Sequence, residues 1–183
     1  MRIIAGSARS RTILTPEGLD TRPTLDRVRE NLFNILNLRV RDARVLDLFA
    51  GSGALSLEAI SRGAQSAVMV DNNRAAIACI QKNVAALRFD AQARVLHTDW
   101  RTAVAQLARE AAQFDLVMLD PPYAMHSLDE VTEALKPLLA EDALMVIEHE
   151  KRTMPLVADG YDMTDSRTYG IVGLSFFRLT DGL

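Results

Sequence analysis

The sequence predicts an α/β protein built on one doubly wound, mostly parallel sheet of seven strands with helices on both faces. Three observations predict it. From Arg44 onward, short apolar runs alternate with amphipathic stretches, the signature of parallel strands joined by crossover helices. The first of these runs, residues 45–49, passes through the tight turn Gly51-Ser52-Gly53 directly into a helical stretch over residues 54–60. From Asp162 the rhythm changes, and residues 163–169 and 171–179 read as two strands with no helix between them, an antiparallel C-terminal hairpin.

Taken in order, residues 2–6 and 12–14 suggest two short strands around the basic loop 7–11, a small N-terminal β-hairpin. Pro16, Gly18 and Pro23 punctuate the loop that follows. Thr24 can cap a helix running to about Leu38, with Leu25, Val28, Leu32, Ile35 and Leu36 on one stripe. Arg27, Asn31 and Asn34 fall on its opposite side. After the first strand and helix come a strand at 66–71, a helix at 73–87, a strand at 94–97 and a helix at 102–112. A strand at 114–119, a helix at 128–139 and a strand at 143–147 complete the alternation. The 183 residues contain no repeat, linker or low-complexity tract. A single domain is expected, with residues 1–40 as a basic extension and 41–183 as the core.

Hydrophobic residues make up 49% of the chain, and the mean hydropathy of +0.03 is that of a globular protein. No apolar run approaches a membrane span and the N-terminus carries no signal-peptide pattern, so a cytoplasmic protein that does not enter membranes is expected. The lone cysteine, Cys79, cannot form an internal disulfide and reads as a small buried residue on a helix. The net charge of −3 hides an asymmetry. Residues 1–44 hold nine arginines and no lysine against five acids, a surplus of four, which leaves the remainder at −7. A basic leading segment on an acidic body suits contact with a polyanion, with Arg9, Arg11, Arg22 and Arg27 as its candidates; simple solvation of a surface is the alternative.

In such sheets ligands sit beyond the carboxyl ends of the strands. The glycine turn aims backbone N–H groups at a ligand from a helix N-terminus. A dinucleotide fingerprint would want a third glycine where Ser56 stands, and Asp47, four residues before Gly51, would repel a pyrophosphate. Asp47 would attract a cationic amino group instead, which S-adenosylmethionine has. The second strand ends at Asp71-Asn72, twenty residues past Gly51, where a carboxylate can accept from a ribose diol or merely cap the strand. The third ends near Asp99-Trp100: Asp99 could accept from an adenine amine, and Trp100 could flank the ring or belong to the core. The fourth ends in Asp120-Pro121-Pro122-Tyr123. Two consecutive prolines remove two N–H donors, which leaves acceptors suited to an exocyclic amine, and Tyr123 offers a stacking face for an extruded base. His97, His126 and His149 have no metal-ligand spacing and no metal is expected. Glu148-His149-Glu150 ends the fifth strand, either lining the substrate side or solvated.

Asp47 to Gly53, with Phe49, Ala50, Gly51 and Ser52, resembles motif I of the class I S-adenosylmethionine-dependent methyltransferases, which have a Rossmann-like fold. Asp120-Pro121-Pro122-Tyr123 resembles the motif of enzymes that methylate exocyclic nitrogens of adenine or guanine. Residues 22–30 and 32–36, residues 48–63 and the Arg167…Tyr169-Gly170 ending are similar to the RsmD family of bacterial guanine-N2 methyltransferases of small-subunit ribosomal RNA. The leading segment departs from that family's usual tryptophan and second glycine, having Ala8 and Ser10 around Arg9. The resemblance implies a cytoplasmic enzyme that binds S-adenosylmethionine and releases S-adenosylhomocysteine; a monomer is expected. Its substrate would be guanine N2 in 16S ribosomal RNA, within a small-subunit assembly particle. The rival readings are an adenine-N6 methyltransferase of DNA, an RNA-binding assembly factor without catalysis, and a nicotinamide dehydrogenase, which Ser56 and Asp47 disfavour.

Overall fold

Every apolar run that the alternation assigns from Arg44 onward becomes a strand of one sheet. The computed structural model describes residues 1–16, 23–122, 125 and 127–180. Helix α1 (Pro23–Leu36) precedes β1 (Arg44–Asp47), α2 (Ala54–Ser61), β2 (Ser66–Asp71), α3 (Arg74–Leu87) and β3 (Ala93–His97). Then follow α4 (Trp100–Arg109), β4 (Phe114–Leu119), α5 (Asp129–Leu135), β5 (Leu139–Glu150), β6 (Tyr161–Tyr169) and β7 (Val172–Leu179). The strand order is β3-β2-β1-β4-β5-β7-β6. Strands β1 to β5 pair in parallel, whereas β7 runs antiparallel between β5 and β6.

Two apolar layers cover the sheet. On one face α1, α2 and α3 bury Leu32, Phe33, Leu57, Ile80 and Val84 against Val45, Met118 and Val146. On the other, α4 and α5 bury Val104, Leu107, Val131 and Leu135 against Leu46, Val117 and Ile147. Each such side chain contributes about 1.5–3 kcal/mol on leaving water. The chain grows outward from β1 through β2 to β3, then returns to the other side of β1 for β4 and β5. No helix among the described residues is long and apolar enough to cross a membrane.

Three expectations need correction. The N-terminal hairpin is a single bridge, Arg2 to Thr12, and not two strands. Its backbone donors are taken by α2: Ile4 and Ala5 donate to the Glu58 carboxylate at 2.8 and 3.0 Å, Ser7 donates to the Ser61 carbonyl at 2.7 Å, and Ala8 donates to the Ser61 hydroxyl at 3.0 Å. A strand ladder would need the same groups. Helix α1 turns a different face inward: Phe33 and Arg29 are buried with Val28, Leu32 and Leu36, while Ile35 is exposed. The helix starts at Pro23, so Thr24 stands within its first turn and not at the cap position expected of it; the Thr24 and Leu25 side chains lie outside the described residues. Strand β5 extends well past 143–147, because β4 supplies pairing partners from Leu139 to Ile147 and β7 from Met145 to Glu150.

The N-terminal segment reaches α2 through Gly6, whose φ is +84°; a Cβ there would stand 1.7 Å from the Ser61 carbonyl oxygen. Gly6→Ala meets both left-handed backbone strain and that backbone clash. It should destabilise the fold by more than the ~1–2 kcal/mol of the strain alone, read as a lower denaturation midpoint.

Candidate active site

Where the sheet reverses its direction of growth, between β1 and β4, a crevice opens at the carboxyl ends of the strands. Side chains alternate along a strand. Asp47 shares the face of Val45, Asp120 that of Met118 and Glu148 that of Val146, and all three of those apolar residues belong to the layer under α1. Three neighbouring strands thus present three carboxylates on one face. The crevice holds two cavities that meet at Asp120 and Glu148, the residues lining both.

The first cavity lies against the glycine turn and is lined by Asp47, Phe49, Ala50, Gly51 and Ser52, with Arg29, Leu32 and Thr15 of the N-terminal segment opposite. Asp47 is buried; its Oδ2 accepts the Ser56 hydroxyl at 3.0 Å, and its Oδ1 has no partner among the described residues. Ser56, which in the sequence stands only as an absent glycine, orients this carboxylate. Burial pushes the Asp47 carboxyl up to about 7, the Ser56 hydroxyl opposing and the Asp120 and Asp71 charges adding. Gly51 has φ +55°, and a Cβ there would meet nothing within 4 Å, so its main chain faces open space. Asp71 accepts the Gly51 N–H at 2.9 Å and the Asn73 N–H at 2.8 Å, locking the turn to the end of β2. Each carboxylate oxygen keeps a second lone pair, so these bonds leave room for a diol. Gly53, at φ +76°, starts α2; Asn72 is exposed beside the turn, its carbonyl 3.3 Å from the His97 ring. An unpartnered buried carboxylate oxygen beside an open glycine turn fits a ligand bearing an ammonium group, as S-adenosylmethionine does.

The second cavity is lined by Asp120, Pro121, Pro122, Met125, Leu128 and Glu148, with Thr153 and Pro155 across from them. The Pro122 carbonyl is occupied by the Met125 N–H at 2.8 Å. Asp120 is exposed along its open side yet walled in by protein elsewhere, and this desolvation raises its carboxyl above the ordinary range. Burial raises Glu148 as well, the Asp120 charge adding to it. Of the Glu148-His149-Glu150 alternatives, the lining one holds for all three residues. The His149 ring is itself engaged, with Nε2 2.9 Å from the Ser175 hydroxyl and Nδ1 2.8 Å from the Glu150 carbonyl. Tyr123 and His126 lie outside the described residues.

Asp99 and Trp100 both have structural partners. Asp99 caps α4, accepting the Thr102 N–H at 3.0 Å and its hydroxyl at 2.7 Å. Trp100 is buried in the layer under α4 with the Arg101 guanidinium 4.4 Å over its ring. Of the basic residues, Arg9 and Arg27 are exposed, Arg11 is exposed and donates to the Ala86 carbonyl, and Arg22 lies outside the described residues. Arg29 is the surprise: it is buried, donating to the Met1 sulfur at 2.6 Å, to the Arg2 carbonyl at 2.5 Å and to Asp26 at 3.1 Å. Asn83, also missed, accepts the Leu14 N–H at 2.7 Å and donates to the Leu14 and Ser52 carbonyls, both at 3.0 Å. The available signal was its place beside Ile80, Val84 and Leu87 on the buried side of α3.

Asp47 generates a prediction about stability. Its carboxyl titrates near 7 in the folded protein against 3.8 ordinarily, so the folded state holds an extra proton between those values. Its contribution therefore worsens as pH rises from about 4 to 7 and stays unfavourable above. Asp120 and Glu148 act in the same sense, so the quantity to measure is the difference between wild type and Asp47→Asn. The variant should gain relative stability across that window, by a few kcal/mol at most, since each tenfold change in proton affinity is worth roughly 1.4 kcal/mol. Thermal melts from pH 4 to 8 check this, and a pH-independent difference would contradict it.

A family model described as conserved hypothetical protein 95 matches residues 1–178 of the chain. The ribosomal RNA small subunit methyltransferase D of Escherichia coli K12 is 36% identical over 181 residues, covering 97% of this chain and 89% of that protein. The Bacillus subtilis protein YlbH is 34% identical over 181 residues, covering 97% and 98%. A solved structure of the Escherichia coli protein yhhF matches with a TM-score of 0.84 at 34% identity, covering 100% of this chain and 99% of that one. With a matching family model over nearly all its length, relatives above 30% identity and the strand order of a Rossmann-like methyltransferase, the chain belongs to the conserved hypothetical protein 95 family, that of the RsmD methyltransferases.

Proposed function

We propose that the protein is an S-adenosylmethionine-dependent ribosomal RNA methyltransferase. Its target is the exocyclic N2 of a guanine in 16S ribosomal RNA, modified within a small-subunit assembly particle. The observation that carries this reading is the junction of two cavities at Asp120: one side holds the unpartnered Asp47 oxygen and the open glycine turn, the other the two prolines. Relatives named for small-subunit ribosomal RNA support the substrate class and do not favour the DNA adenine alternative. The whole chain acts as one domain with a basic N-terminal extension, as a monomer in the cytoplasm.

When bound, S-adenosylmethionine supplies an electrophilic methyl group carried on a sulfonium sulfur. Asp47 pairs with its ammonium group through Oδ1, Asp71 accepts from its ribose, and Phe49, Ala50, Gly51 and Ser52 shape the turn against it. The charge partner also relieves the cost of ionising Asp47 in a buried site. Asp120 and the Pro121 carbonyl are acceptors aimed at the amine, which favours a more tetrahedral, nucleophilic nitrogen. The prolines offer no competing N–H. Tyr123 stacks the extruded base. Catalysis comes from position and from acceptors aimed at the amine, with no covalent intermediate.

Loss of the gene should remove one N2-methylguanine from small-subunit RNA, read by mass spectrometry of nucleosides; an unchanged nucleoside profile would overturn the assignment. Asp120→Ala should lower single-turnover methyl transfer on the order of 100- to 1,000-fold while the protein still binds S-adenosylhomocysteine by calorimetry. A wild-type rate would remove Asp120 from the mechanism. Tyr123→Ala should lose about 1–3 kcal/mol of base stacking and Tyr123→Phe little. If Arg9, Arg11, Arg22 and Arg27 meet phosphates, neutralising each should flatten the salt dependence of RNA affinity by about one unit and leave cofactor affinity alone.

A further inference from the structure

We propose that Glu148 is the specificity-determining residue that selects guanine, accepting hydrogen bonds from the N1–H and one N2–H of the target base. The proposal rests on the guanine-N2 reading given above and goes beyond it by naming what distinguishes guanine from adenine, since an Asp-Pro-Pro-Tyr turn suits an exocyclic amine on either base.

The placement carries the argument. A methyl group passing from cofactor to base must cross the junction of the two cavities, and the residues lining both are Asp120 and Glu148. They stand side by side on adjacent parallel strands, Asp120 just past the end of β4 and Glu148 within β5: Leu119 lies opposite Ile147, and each acid is the next residue along. Neighbouring strands run about 4.8 Å apart. A nitrogen held at the junction therefore has one carboxylate on either side. Among the described residues Glu148 has no hydrogen-bond or ion-pair partner, unlike Glu58, Asp71 or Asp115, each occupied by backbone or arginine donors. It is half-buried and aimed into the crevice.

The chemistry of the base then decides what Glu148 can do. In guanine the exocyclic N2 and the ring N1 are separated by one carbon and both carry hydrogen, so a carboxylate beside N2 reaches two donors at once. In adenine the ring nitrogen beside the N6 amine is an acceptor, and a carboxylate would face its lone pair. Burial and the Asp120 charge make Glu148 costly to ionise, and two N–H donors on one edge are what offsets such a cost. Asp120 is left the second amine hydrogen, so the two acids grip the amine from both sides.

The test uses small-subunit RNA ligated to carry either guanosine or 2-aminopurine ribonucleoside at the mapped target. The analogue keeps the 2-amine and replaces N1–H by a lone pair. In single-turnover assays the wild-type protein should prefer guanine by roughly 10- to 100-fold, the span of one bidentate base contact. Glu148→Gln keeps one acceptor for the amine and adds a donor for the unprotonated N1, so the ratio should fall at least about 10-fold and approach or pass parity. A ratio left unchanged while both rates fall together would overturn the proposal, since a general base or a merely structural residue predicts that pattern. Should Glu148→Gln fail to melt cooperatively, Glu148→Ala reads the same ratio: near parity supports the proposal, and an intact guanine preference overturns it. A wild-type protein that puts no methyl on guanine N2 overturns the parent reading and this one together. A wild type that does so, beside a Glu148→Gln that keeps its preference, overturns this one alone.

Discussion

Between β1 and β4 the sheet changes its direction of growth, and no crossover can cover the gap that this leaves. The helix after β1 goes to one face and the helix after β4 to the other. The strand ends facing that gap are free to carry polar side chains, which elsewhere in a parallel sheet would be buried against a helix. Asp47, Asp120 and Glu148 stand there. Their shared elevation above ordinary carboxylate values is a consequence of that position: three acids in one crevice cannot all ionise without donors to compensate them. The same property that makes the site costly for the folded chain makes it receptive to a cation on one side and to N–H donors on the other.

The N-terminal segment is held to this core by polar contacts made in the middle of an apolar helix. Glu58 is fully buried on α2, yet it accepts two backbone N–H groups and the Arg62 side chain at 2.7 Å, with Arg29 4.0 Å away. Buried ions are tolerable when paired and hydrogen-bonded in this way. The result is that Met1, Thr15, Val28 and Arg29 form a wall of the cofactor-side cavity opposite Gly51. The N-terminal segment thereby contributes an inner wall of the cleft while Arg9, Arg11 and Arg27 stand on its exposed surface. Asn83 adds to this attachment by joining the Leu14 backbone to the Ser52 carbonyl of the glycine turn.

Much of the fold and part of the site were legible from local pattern. Strands β2 and β4 fall where the apolar runs do, and α2 starts directly after the glycine turn. Asp47, Gly51 and Asp120 could be nominated because a strand followed by a turn says where a sheet ends. Asp99 and Trp100 pass the same rule, and there the strand end is also where the next helix is capped and packed.

Local pattern in the chain set the elements and their order, because hydrophobic period and turn residues act over a few neighbouring positions. It also set which acids end up at strand ends. Which of those acids meet was left to the pairing of strands in three dimensions. The parity that puts Asp47, Asp120 and Glu148 on one face depends on the register of three strands more than 25 residues apart in sequence. Likewise the hairpin expected at residues 2–14 gave way to a docked segment, since the donors a ladder would use were claimed by Glu58 and Ser61, more than 50 residues away. Hydrogen-bond partners so distant leave no periodicity to read, and the burial of Arg29 and Asn83 follows from the same contacts.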